Sequence, residues 1–149
     1  MDKSVDVVLA YWNEHRQQLR QSENQRAALT NYILVIVAAL SSFAVQLEFR
    51  LETVALSSLI AIIGLYGATT AAKYHERAEY HLSQARSLTQ VLVSIGALPH
   101  DKSELDNARN AHYAKYRRLH RLRLHSLWTG LHFGVFVYGV ALFMVAVTR

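Results

Sequence analysis

Three stretches without Asp, Glu, Lys or Arg dominate this chain: residues 27–47, 53–72 and 124–148. Each is mainly apolar and about as long as the ~20 helical residues needed to cross ~30 Å of hydrocarbon. Buried helices of soluble proteins usually keep a polar face. Three helices apolar all round would leave too little of a 149-residue chain to cover them. The expected fold is therefore all-α and polytopic, with spans at about 27–47, 53–72 and 126–148. A soluble bundle is the weaker alternative. Val5 to Trp12 is interrupted by Asp6 and lacks the long apolar core of a cleavable leader, so the first span is expected to act as the insertion signal.

The net charge of +5 gains meaning from its placement. Residues 1–26 hold four Lys or Arg and residues 73–123 hold ten, whereas the remaining two are Arg50 and Arg149. Basic flanks favour the cytoplasm. The expected topology has the N-terminus cytoplasmic and the C-terminus outside. Cysteine is absent, which excludes disulfides and thiolate chemistry.

Helical rhythm continues outside the spans. Val5, Val8, Trp12, Leu19 and Arg26 recur before the first, with Ser4 as N-cap; Tyr74, Ala78, Leu82, Ala85, Leu88, Leu92 and Ile95 follow the second. Gly96 and Pro99 mark a stop, and Asp101 with Glu104, or Ser103 with Asp106, marks a new start. The chain thus reads as one domain of three long helices, about 4–47, 53–96 and 102–148. Cytoplasmic extensions over about 4–26, 73–97 and 102–124 would pack as an antiparallel stalk burying Leu88 and Leu119, with Arg86 in water. Between 102 and 129 there is no Gly or Pro to break the helix at the boundary near Leu124.

Several constellations bear on function. Arg117, Arg118, Arg121, Arg123 and Trp128 stand where anionic headgroups of the inner leaflet would meet the third helix. Small residues recur at Ala38/Ser42, Gly64/Ala68/Ala72 and Gly130/Gly134, a spacing that lets helices approach closely within one chain or between subunits of a homo-oligomer. His132 is an ionisable residue inside a span, read either as a packing group or as a pore-facing, pH-sensitive one. His75 with Glu79, supplemented by His81, His112, His120 or His125, offers a weak metal reading, and no metal or other cofactor is expected. Arg118 and His125 have the spacing of the catalytic motif of HEPN-type ribonucleases, a spacing that frequent arginine produces by chance. The basic segment suits phospholipid better than nucleic acid.

The stretch YWNEHRQQLRQSENQRAALTNYILVIVAAL, followed by a tight second span and KYHERAEYHLSQARSL, resembles the SLATT group. These are two-span membrane effectors found with nucleotide-sensing or phage-defence components of bacterial conflict systems. The third span departs from that plan. The resemblance implies a non-enzymatic, pore-forming or membrane-perturbing protein triggered by a cytoplasmic partner or nucleotide-signalling component. A passive scaffold tethering a partner and a membrane-anchored ribonuclease are the alternative readings.

Overall fold

The computed structural model describes residues 3–99 and 103–148. They form α1 (Lys3–Gln46), α2 (Thr53–Ser94), α3 (Ser103–Lys115) and α4 (Leu124–Thr148), with a single 3-10 turn at Leu119–Arg121. No strand occurs among the described residues. Helices α1, α2 and α4 are each long and apolar enough to cross a membrane. Contacts divide the chain into two compact units. One comprises Met1–Ser22 and Glu76–Arg123; the other comprises Glu23–His75 and Leu124–Arg149.

In the second unit, parts of α1 and α2 join all of α4 around Ile33, Val37, Ile60 and Val135, with Leu29, Leu40, Ile63 and Leu142 packed against them. Glycine sets how closely these helices approach. A Cβ added at Gly64 would overlap the backbone of Phe136, and one at Gly139 would overlap that of Ala61. Hydrogen in place of a side chain thus lets two backbones touch, which multiplies van der Waals contacts. Gly130 and Gly134, the residues whose spacing suggested a packing face, have nothing within 4 Å of an added Cβ. On α4 the buried residues are instead His132, Val135, Gly139 and Ala146, alternating at helical spacing on another face.

The link between α1 and α2 is tight. Glu48 and Phe49 both adopt the left-handed conformation, with φ of 52° and 56°. That conformation costs a non-glycine residue ~1–2 kcal/mol. It is offset by turn bonds, among them Phe49 N–H to the Ala44 carbonyl (3.3 Å) and Thr53 N–H to the Arg50 carbonyl (2.8 Å).

In the first unit, α1 meets the second half of α2. The Trp12 indole donates to Thr89 Oγ1 at 3.0 Å, and Arg77 donates to Gln18 Oε1 at 3.1 Å. Ala78, Ala85, Leu92 and Val93 are buried there, Leu88 is half-buried, and Arg86 is exposed as expected. Gly96 ends α2 at φ 74°, with the Ala97 N–H reaching back to the Leu92 carbonyl at 2.9 Å.

The expected single helix over 102–148 is corrected. Helix α3 stops at Lys115, and Leu122 is extended at ψ 118° before α4 begins. The break needs no glycine or proline. Arg117/Arg121 and Arg118/Arg121 place like charges at helical neighbour spacing, each pair costing ~0.2–0.5 kcal/mol. No buried face compensates, since neither α3 nor the 3-10 turn buries a residue. Leu119, expected in a stalk core, is 64% exposed. Ser4 lies inside α1, which already includes Lys3, so it is not the N-cap. The capping role read for Asp101 lies outside the described residues. Asp106 pairs with Arg109 at 3.1 Å.

The glycine contacts yield a direct test. Gly64→Ala and Gly139→Ala should each destabilise the protein by ~1–3 kcal/mol through overpacking. Gly130→Ala should be neutral or stabilise by up to ~1 kcal/mol through helix propensity. Denaturant titration in micelles measures all three; equal effects at Gly64 and Gly130 would refute the assigned packing.

Candidate functional site

Polar side chains buried in an apolar bundle need partners. In the second unit they gather where α1 faces α4. His132 is fully buried, and its Nε2 lies 3.0 Å from Thr30 Oγ1. The Thr30 hydroxyl donates its one hydrogen to the Arg26 carbonyl, also at 3.0 Å. Nε2 of His132 must then carry the hydrogen and donate it to Thr30. Nδ1 is left as an acceptor with no hydrogen-bond partner. It sits where a Cβ on Gly67 would overlap it, so Gly67 makes the room that the imidazole occupies.

One turn from this pair, Arg26 places its guanidinium over the Trp128 ring, 5.5 Å from the centroid. Arg26 is buried, and its Nε, like the Trp128 Nε1, has no hydrogen-bond partner. Arg26 and Thr30 are four residues apart on α1, as are Trp128 and His132 on α4. Two polar layers therefore stack one helical turn apart. This arrangement positions a cation, an indole N–H and a free imidazole lone pair; it includes no nucleophile with an activating base.

The first unit carries a different polar contact. His15 Nδ1 lies 3.0 Å from His81 Nδ1, and Tyr80 packs edge-on against both rings. One ring must donate and the other accept, so two protonated rings would place N–H against N–H. His81 is held below the usual imidazole value, first by burial, then by the charges of His15 and Arg77, against an opposing pull from Glu14.

Of the residues singled out by spacing and composition, Gly64 and Ala68 are buried whereas Ala38, Ser42, Ala72, Gly130 and Gly134 are exposed. Arg117, Arg118, Arg121 and Arg123 are exposed in the break between α3 and α4. Trp128 is half-buried beneath Arg26, and His132 is in the interior. His75 stacks on His125 with centroids 3.8 Å apart. No group of three metal-ligating side chains occurs among the described residues. Composition gave no reason to single out Thr30, Gly67 or Gly139. The signal that finds Gly139 is the alternation of three- and four-residue steps from His132 through Val135 to Gly139.

The histidine pair predicts a pH response with a definite sign. A depressed folded-state value means that protonation favours unfolding, so stability is full above the ordinary value of 6.5 and falls as pH drops through and below it. Protection factors, the exchange rates in 3–22 and 76–94 relative to the intrinsic rate at each pH, should fall between pH 7.5 and 5.5, while His15→Gln/His81→Gln should show a flatter profile. An unchanged profile in that variant would remove the pair as the cause.

No protein-family model, curated protein or solved structure matches this chain.

Proposed function

We propose that this is a non-enzymatic, multi-pass protein of the bacterial inner membrane, acting as an oligomeric effector or accessory subunit that perturbs or permeabilises the membrane on a partner's signal. The observation that carries the membrane reading is the exposure of the apolar helices. Only 22, 33 and 22% of the most apolar windows of α1, α2 and α4 is buried. An uncovered apolar surface on three helices calls for lipid or further copies as its solvent. Thr30, Ser57 and His132, by contrast, turn inward, as polar groups do in proteins that exclude lipid from them.

The distribution of basic residues orients the protein with its N-terminus and the segment 73–123 in the cytoplasm and its C-terminus outside. In that orientation the paired segments of α1 and α2 in the first unit form a cytoplasmic antiparallel stalk. Arg117, Arg118, Arg121 and Arg123 meet anionic headgroups at the start of α4. Helix α3 supplies the receiving surface for a partner: Leu105 is 72% exposed and Tyr113 45%, and the helix buries nothing of its own. The resemblance to membrane effectors of conflict systems motivates the triggered, membrane-perturbing action. Gly130 and Gly134 leave one face of α4 open for contact between copies.

Single cysteines test the topology on a background that has none. Impermeant maleimide on intact cells should label Thr148→Cys and spare Ser103→Cys; the reverse would overturn the orientation. Induced expression should arrest growth and collapse the membrane potential once the trigger is present, and Leu105→Glu should block the response without preventing insertion. Partner recruitment with an intact potential would instead establish a passive tether.

A further inference from the structure

Arg26 has no ion-pair partner among the described residues. The residue is 7% exposed, and Nε is sealed from solvent without a hydrogen-bond partner. The contact it does make is with the face of Trp128, whose own indole N–H is likewise buried and unpartnered. Thr30, one turn along α1, cannot turn to the guanidinium, because its hydroxyl is engaged by the Arg26 carbonyl and His132. A cation–π contact places the charge but accepts none of its N–H groups. The Nη groups of Arg26, not sealed as Nε is, can be met by an anion that accepts those hydrogens.

From these contacts we infer that Arg26 and Trp128 form a binding site for a phosphate group. The planar guanidinium fork matches two phosphate oxygens, which lysine's single ammonium does not. The ring of Trp128 holds the guanidinium over its face, so less side-chain freedom is lost on binding. The residues' positions identify the occupant. Arg26 is the last charged residue before the uncharged run 27–47, and Trp128 stands near the start of the run 124–148. In the orientation proposed above, on which this step rests, that level is the inner headgroup layer. The phosphate is then that of an anionic phospholipid, held on the rim where α1 meets α4. This site is separate from the exposed arginines at 117–123, which attract headgroups without fixing one.

The test reads Trp128 directly. Trp12→Phe leaves it as the only tryptophan of the chain. The protein is reconstituted in phosphatidylcholine vesicles doped with brominated phosphatidylcholine or brominated phosphatidylglycerol, and quenching compares the two lipids at the ring. Phosphatidylglycerol should be favoured by about five-fold, the factor expected for one arginine facing an anionic headgroup. Arg26→Gln should bring the ratio near unity, and Arg26→Lys should keep only part of it. Circular dichroism checks that the helices persist; if Arg26→Gln does not fold, the Arg26→Lys comparison decides. A Trp128 emission change that saturates with inorganic phosphate in neutral detergent would support the site with a soluble occupant. Equal quenching by both lipids in the parent protein would overturn the site while leaving the membrane reading intact. So would a preference that survives Arg26→Gln but is lost when Arg117, Arg118, Arg121 and Arg123 become Gln. Absence of quenching by either lipid would sink the membrane reading itself.

Discussion

The interior of the second unit depends on one contact, the meeting of backbones where Gly64 and Gly139 face Phe136 and Ala61. Helices bearing ordinary side chains there would stand farther apart. At the observed separation the His132 ring lies against Gly67 and reaches Thr30 on the opposite side. The hydrogen-bonded pair between α1 and α4 is thus a consequence of packing between α2 and α4. Close approach comes first, and the polar geometry follows from it.

The two histidine arrangements illustrate how surroundings decide chemistry. His132 has Thr30 as its one hydrogen-bond partner and is fully enclosed, so it ties α4 to α1 inside the bundle. His15 and His81 are half-buried and set among Glu14, Arg77 and Tyr80, and burial with the neighbouring charges holds His81 below the usual imidazole value. Here the same side chain serves as a fixed strut in one unit and as a titratable contact in the other. Residue type alone draws no such distinction.

Much of the helical plan was legible from the chain. Absence of charge located the apolar portions of α1, α2 and α4, and Gly96 with Pro99 marked the end of α2 correctly. The break after Lys115 was not legible from Gly and Pro alone, because helix continuity also needs a packed face, and exposure is a property of the folded chain. The small-residue spacing pointed equally at Gly64, where a close contact falls, and at Gly130 and Gly134, where none does, and it passed over Gly67 and Gly139. Four-residue spacing shows that a face is smooth; it does not show which smooth face meets a neighbour. Arg26 appeared in the helical rhythm only as a position. Its lack of an ion-pair partner among the described residues became visible once burial and partners were known.

Helix α2 carries a regularity that extends beyond any one contact. Ser57, Gly64, Ala71, Ala78, Ala85 and Leu92 are all buried and fall seven residues apart. An α-helix with this repeat has a contact line of 3.5 residues per turn. The helix is consequently a ruler marked in sevens. Removing seven residues between two marks would shorten it by roughly 10 Å and leave every mark on the same face. Removing or adding two would turn all later marks by about 200° relative to the earlier ones. Homologous chains should therefore differ in length along α2 by whole heptads, however freely the residues between the marks drift.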